Sequence, residues 1–529
     1  MRSIYLILIP KFSFTILGLI LLLIFNSCAN IRPIQGGPDD KKPPSIVESK
    51  STPNRQLNFK PKKLEITFDE WVSLVNPSQN IIFSPRLKYP ASFKLKSKKL
   101  KIELNEKEVL QDNTTYSIYL GDAIQDITNR NISKDIHYVF STGSSIDSFF
   151  ISGKVIDAFK LNALAKVVVM LYSDLSDSIF LKEPPNYFAI TDTSGRFRMD
   201  YIKSGMYNLY GLIDKNQNYY YDQKSESIGF SNDKIMVNDS VHSNIILKIS
   251  EEQGKNFIKE KKQKNGKLKV QFANKVNTIS VNCIQCKDQY LINLKDSILF
   301  WFQSDSATSI YLDYDHKLDT ITVNATKKDS IFIYANINNY SRQIVQGQDF
   351  ELEWSEPIIF VDTTKIHMST GQSFTYKIDS VDARKLFLHF HGPMLNKFSI
   401  FFDSMSIQGI NHIVSVKDSL NIITLTPSSL SKLTIILDSL KVGQQYILQI
   451  VSRDKIIEER IFTAVDNNRK LFFPSLLPGN YNLRLIEDTN KNKRWDPSQY
   501  KTRTQTEQVW FWELKELRAD WDLEMNFKI

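Results

Sequence analysis

The chain has 529 residues, with 67 lysines and arginines against 58 aspartates and glutamates for a formal net charge of +9, and it holds three cysteines. At roughly 100–200 residues per domain it can form about three to five domains, and three cysteines build no disulfide framework, so apolar cores must hold them. The charge excess is small and its basic residues are mixed with acidic ones, which implies no nucleic-acid partner. Residues 1–27 read as an export signal: Arg2 and Lys11 supply positive charge, and F-S-F-T-I-L-G-L-I-L-L-L-I-F then runs uncharged to N-S-C, ending at Cys28. That run is short of the about 20 apolar residues of a bilayer span, which points to cleavage before Cys28.

F-N-S-C resembles a bacterial lipobox, with Phe25 and Asn26 departing from its commoner residues. The resemblance implies a covalent lipid on Cys28, several acyl chains together fixing the mature protein to a membrane; the other reading is an ordinary cleaved signal. Residues 28–44, rich in Pro and Gly without apolar rhythm, are expected to be a tether. Beyond them no second long apolar run occurs.

Alternation with a period of two then dominates, as in L-E-I-T-F, L-K-I-E-L and Y-S-I-Y-L, broken by Asn, Asp, Gly, Lys and Ser clusters. This patterning predicts an all-β chain of tandem β-sandwiches. P-P-S-I-V, L-E-I-T-F-D-E-W-V, I-I-F-S-P, N-T-T-Y-S-I-Y-L, D-A-I-Q-D-I-T-N-R-N and Y-V-F-S-T-G, within residues 45–143, resemble the bacterial Ig-like domain first described in S-layer proteins. The resemblance implies Phe68 and Val72 in the inter-sheet core and a role in spacing, display or adhesion. Residues 150–250, with I-S-G-K-V-I-D, V-V-V-M-L-Y and T-D-T-S-G-R-F-R-M-D-Y, resemble the carboxypeptidase regulatory-like, or prealbumin-like, sandwich, which carries no peptidase centre.

Residues 251–267 are lysine-rich and read as a solvated linker, residues 268–343 as a further β-sandwich. F-E-L-E-W-S-E-P-I echoes L-E-I-T-F-D-E-W-V, so 344–440 is expected to be a second Ig-like domain. The closing span, 441–529, repeats an earlier one: G-M-Y-N-L-Y-G-L-I-D ends at Asp214 and G-N-Y-N-L-R-L-I-E-D at Asp488, with Phe197 and Phe472 upstream. Such register implies a duplicated prealbumin-like module.

Each copy continues into an acidic loop, Asp214, Asn216, Asn218 and Asp222 in one, Asp488, Asn490, Asn492 and Asp496 in the other. The spacing matches positions 1, 3, 5 and 9 of an EF-hand loop, an oxygen set suited to Ca2+. Tyr219 and Lys493 replace the sixth-position glycine, and no bidentate glutamate falls at the twelfth. Two readings stand: a weak calcium site, or Asx turns between strands without metal.

Residue patterns for catalysis are absent: no G-x-S-x-G, H-E-x-x-H or phosphate-cradling glycine loop occurs. Cys283 and Cys286 read as an incidental strand pair rather than a redox or half-zinc motif, and His389 and His391 as two semi-exposed strand residues. Q-V-W-F-W-E-L sets Trp510 and Trp512 on one strand face and Val509 and Phe511 on the other. One face is expected in the core, the other to stack on sugar rings, seat a protein or lie under a neighbouring domain.

The whole chain resembles the Ig-like-domain lipoproteins of Bacteroidota, whose mature start commonly reads like C-A-N-I-R-P-I-Q-G-G-P-D-D-K-K-P-P. The resemblance implies an outer-membrane lipoprotein, at the cell surface or on the periplasmic face, acting as a non-catalytic binding or scaffold module with a protein partner in the envelope. An accessory subunit of an outer-membrane assembly or secretion complex is the form expected first. A glycan-binding surface lipoprotein comes second, a hydrolase with an unrecognised site third.

Overall fold

The computed structural model describes residues 40–529 except 134–135, 224, 239–241, 255, 295, 328–331, 337–341 and 393–394, so Cys28 and most of the tether lie outside the described residues. The chain divides after Ile146 into two units. It is nearly all β, as the alternation requires. In the first unit Lys63–Thr67 buries Leu64 and Ile66, Lys99–Glu103 buries Leu100 and Ile102, and the two pair antiparallel with Ser92–Lys96 at the edge. Facing them, Thr115–Tyr119 pairs with Ile82–Ser84 and His137–Ser141, and Tyr116, Ile118 and Phe140 complete the core. Phe68 and Val72 are each 1% exposed within it.

The second unit contains four sandwiches. In the first of them Phe149–Asp157 pairs antiparallel with Arg196–Ile202 and parallel with His242–Glu251. Val168–Tyr172 pairs with Tyr187–Ile190 and Gly205–Ile213, and the latter with Ser227–Phe230. Every one of these pairings recurs at the end of the chain: Ser431–Asp438 lies antiparallel to Asn468–Leu476 and parallel to Asp522–Lys528. Gln445–Ser452 pairs with Lys455–Thr463 and Asn482–Asp488, and Asn482–Asp488 with Val509–Glu513. A shared tyrosine strut reinforces the correspondence, the Tyr207 hydroxyl donating to the Lys203 carbonyl (2.8 Å) and Tyr481 to Leu477 (2.7 Å). Between the copies, Phe350–Glu353, Lys385–Phe390 and Phe374–Ile378 repeat the edge-to-edge order of the first unit's Leu64-bearing sheet, with Trp354 1% exposed near the place of Phe68.

Four details depart from the sequence reading. Within 251–267, Ile258–Lys264 is not linker but an edge strand paired with Lys267–Phe272. Asn265 (φ 40°) and Gly266 (φ 73°) turn the chain as a two-residue hairpin loop, and a lysine-studded strand is how an exposed edge avoids pairing with other chains. Ser431–Asp438, read as the end of the second Ig-like span, is the opening strand of the closing sandwich. Its Leu433, Ile435 and Leu437 are fully buried there. Cys283 and Cys286 are joined by a disulfide across a turn, with the Gln289 amide donating to both their carbonyls at 2.9 Å. Phe472 points outward, 54% exposed, and its neighbour Phe473 fills the core position of Phe197, because adjacent strand residues take opposite faces.

Candidate functional site

The two acidic loops have one geometry. Asp214 accepts the backbone N–H of Asn218 (3.2 Å) and of Tyr219 (2.7 Å); Asp488 accepts those of Asn492 (3.0 Å) and Lys493 (2.7 Å). The Asn218 amide donates to Asp222 at 2.7 Å and that of Asn492 to Asp496 at 2.6 Å, while Asn216 and Asn490 donate to the same carboxylates at 3.1 and 2.6 Å. Asn218 Oδ1 and Asn492 Oδ1 accept the N–H two residues on, from Tyr220 and Arg494. Tyr219 and Lys493, at the glycine position of an EF-hand, have φ of 67° and 62°, held there by the aspartate that accepts their N–H.

A buried glutamate backs each loop. Glu226 is fully buried and accepts from Lys215 N (3.2 Å) and Gln223 N (3.3 Å); Glu507, 5% exposed, accepts from Thr489 N (2.7 Å) and Asp496 N (3.0 Å). Burial raises the Glu507 carboxyl above its ordinary range, against the opposing pull of the Thr489 donors. Sequence spacing concealed this equivalence: Glu226 follows Asp214 by 12 residues and Glu507 follows Asp488 by 19, so the second loop holds an insertion. Each loop therefore offers two aspartates, two asparagines and one glutamate, all oxygen donors. Among the described residues no group of three or more His, Cys, Asp and Glu side chains is gathered as a metal would require.

The inserted residues have a purpose of their own. Tyr500, 5% exposed, enters an aromatic box on the earlier copy, with ring centroids 5.5 Å from Phe180, 6.0 Å from Tyr210 and Phe230, and 6.2 Å from Tyr221. Its hydroxyl donates to the Asp177 carbonyl and its N–H to Glu252, which also accepts from the Tyr221 hydroxyl. Arg503 lies 4.8 Å over Phe230 and 5.7 Å over Tyr500, Ser498 and Ser250 share a hydroxyl hydrogen bond at 2.7 Å, and Gln505 donates to the Phe230 carbonyl at 2.8 Å. Burial raises the hydroxyl pKa of Tyr500, and burial together with the Glu252 bond that of Tyr221, so both remain donors. The duplicated sandwiches are thus clasped by the longer of their two loops.

Trp510 and Trp512 are half-buried against the core of the closing sandwich, Trp512 with its ring 5.0 Å from Phe527. The opposite face is also covered: Val509 packs with Ile447, Ile486, Phe159 and Trp495, and Arg484 lies over Phe511 at 5.8 Å. The strand is the edge of its sheet, its indoles packed half-buried on the core of their own sandwich and Val509 buried beside Phe159 of the neighbouring one. His389 and His391 stand with rings 5.3 Å apart and His389 bonds Asp349 at 2.8 Å, on exposed surface.

Residues 40–142 match the family model of a bacterial Ig-like domain. No curated protein matches the chain. Solved structures similar to it include the S-layer protein rSbsC(31-844), 11% identical over 82% of this chain and 64% of that one with a TM-score of 0.14. The Bacillus anthracis TIE protein is 11% identical over 93% and 75% with a TM-score of 0.16, and BcpA, the major pilin subunit of Bacillus cereus, 11% over 72% and 99% with 0.14. The chain thus spans less than two thirds of the length of that S-layer protein.

Proposed function

We propose that this protein is a non-catalytic scaffold of the cell envelope, a lipoprotein of the Bacteroidota kind held to the outer membrane through lipid on Cys28. It serves as a binding or accessory subunit of an outer-membrane assembly or secretion complex. The observation that supports this reading is the clasp: by seating Tyr500 in the box of Phe180, Tyr210, Tyr221 and Phe230, the chain spends buried aromatic surface on joining its own sandwiches. That is the requirement of a body that presents surfaces at fixed spacing. The Cys283–Cys286 disulfide suits an oxidising compartment outside the cytosol. Metabolic labelling with palmitate tests the anchor: label on the wild type and none on Cys28→Ser, with release of the variant from membranes, is expected. Equal membrane retention of an unlabelled wild type would overturn it. Cross-linking in intact membranes should trap a stoichiometric outer-membrane partner; a solitary protomer would argue against the scaffold role.

Both acidic loops are read as weak calcium sites. Asp214, Asn216, Asn218, Asp222 and Glu226, with Asp488, Asn490, Asn492, Asp496 and Glu507, supply the oxygen-only set that a hard cation takes, and Ca2+ would add positive charge that draws these carboxylates together. With affinity of about 10⁻⁴–10⁻³ M, calcium at ten times Kd stabilises by roughly 1.4 kcal/mol per site. Scanning calorimetry should show a rise in Tm with calcium, reversed by chelator and absent from the double variant Asp214→Ala/Asp488→Ala. Identical melting of the wild type with and without calcium would leave the loops as Asx turns.

A further inference from the structure

Three sandwiches of the second unit border a cleft of about 610 Å3, within the roughly 300–1,000 Å3 of small-ligand sites, which favour such junctions. Phe159 and Trp495, both half-buried with centroids 4.9 Å apart, form an aromatic wall, with the Arg484 guanidinium 4.4 Å over the Phe159 ring and the buried Ile447 and Ile486 behind it. Polar groups run along one wall as a chain across three adjacent strands: Arg484 donates to the Gln449 side-chain Oε1 at 3.2 Å and the Gln449 side-chain amide to Glu459 at 2.8 Å. The Arg484 Nε is buried with no hydrogen-bond partner, a donor left unmet. From the far side the third sandwich contributes Ala273, Asn274 and Lys275, and Arg494 reaches across to the Lys275 carbonyl at 3.3 Å. Beyond Arg494 a second cleft of about 490 Å3 shares Asn274 and continues with the amides of Asn256, Asn277, Gln499 and Gln505.

The charges of the first cleft balance, the four carboxylates of Glu251, Glu252, Asp454 and Glu459 standing against the four cations of Lys275, Arg484, Lys493 and Arg494. A strongly anionic or cationic ligand would meet as much repulsion as attraction there. Donors and acceptors alternate along the wall, which suits groups that both give and take a hydrogen bond, as hydroxyls do. An aromatic surface beside them suits the apolar face of a ring.

We propose that this cleft is a binding site for a neutral, hydroxyl-rich ligand, a short oligosaccharide, with Phe159 and Trp495 as its apolar platform and the Arg484–Gln449–Glu459 chain and Asn274 reading its hydroxyls. The site differs from the Trp510 and Trp512 strand and does not depend on the anchor, while Lys493, Arg494 and Trp495 stand on the Asp488–Asp496 loop. The test applies the purified full-length chain to an array of neutral gluco-, galacto- and manno-oligosaccharides, with sulfated and sialylated glycans and neutral peptides as comparators, followed by titration calorimetry with the best neutral sugar. Ala273→Trp, which fills the cleft, should weaken binding at least tenfold while melting as the wild type does, and Trp495→Ala should do the same. If Trp495→Ala melts early, Ala273→Trp decides. The proposal falls if no neutral sugar binds, if sulfated glycans or peptides are preferred, or if a sugar binds Ala273→Trp as well as it binds the wild type.

Discussion

Replacing Tyr500 by alanine should unfasten the two copies of the duplicated sandwich. The ring is almost wholly buried among four aromatic rings, its hydroxyl is bonded to the Asp177 carbonyl, and its backbone N–H to Glu252. Truncating a buried aromatic to alanine costs about 3–5 kcal/mol, of which the lost hydroxyl bond accounts for about 1 kcal/mol. The low end, about 3 kcal/mol, applies where the surrounding rings close partly into the space left behind. The backbone N–H of Arg503, bonded to the Tyr500 carbonyl, and that of Thr504, bonded to Gln499, report the opening. Hydrogen exchange at these amides should accelerate by roughly 100- to 200-fold in Tyr500→Ala, since each 1.4 kcal/mol is tenfold. Tyr500→Phe, which keeps the ring, should accelerate it only about fivefold. Exchange in Tyr500→Ala within twofold of the wild type would refute the claim that this ring holds the sandwiches together.

Asp488→Ala removes the acceptor of two backbone N–H groups and should lower stability by about 2–3 kcal/mol in denaturant titration, with Asp488→Asn losing less. Gly266→Ala places a Cβ 2.5 Å from the Phe302 carbonyl oxygen at a φ of +73°, so Tm should fall by several degrees, whereas Gly443→Ala, with nothing within 4 Å of its Cβ, should cost only the strain of its φ of +82°. Glu356, whose carboxyl receives the Trp301 indole N–H, has its pKa raised above 4.5 by burial, against the opposing Lys267 charge. A raised folded value means the protonated form is favoured in the fold. The resulting stabilisation is complete below 4.5 and lost as pH rises through the folded value, and Glu356→Gln should flatten the stability–pH curve in that window. Glu103 behaves oppositely: the Lys101 and Lys94 hydrogen bonds lower its pKa to about 2, so a carboxyl 13C titration should place its midpoint there and, in Lys101→Ala, nearer 4.5.

The amino-acid order determined the local layers of this protein. Leu64, Ile66, Leu100 and Ile102 alternate with charged residues, and a strand can bury only one such face, so the first sandwich follows from the pattern. The Gly-x-Tyr-Asn-Leu runs before Asp214 and Asp488 likewise carry matching local geometry, since the tyrosine strut and the aspartate-capped loop are written in neighbouring residues. Three other things were decided only by the tertiary structure. Glu507 becomes the counterpart of Glu226 because strand pairing, not spacing, brings it back under its loop across an insertion. Alternation divides Trp510 and Trp512 from Val509 and Phe511, yet which face is core depends on Phe527 on one side and Phe159 on the other. The cleft between Phe159, Asn274 and Gln449 gathers residues from three sandwiches, and no window of sequence contains the distances between them. Periodicity encodes which side of an element turns from water; the partner that covers it is set by long-range packing.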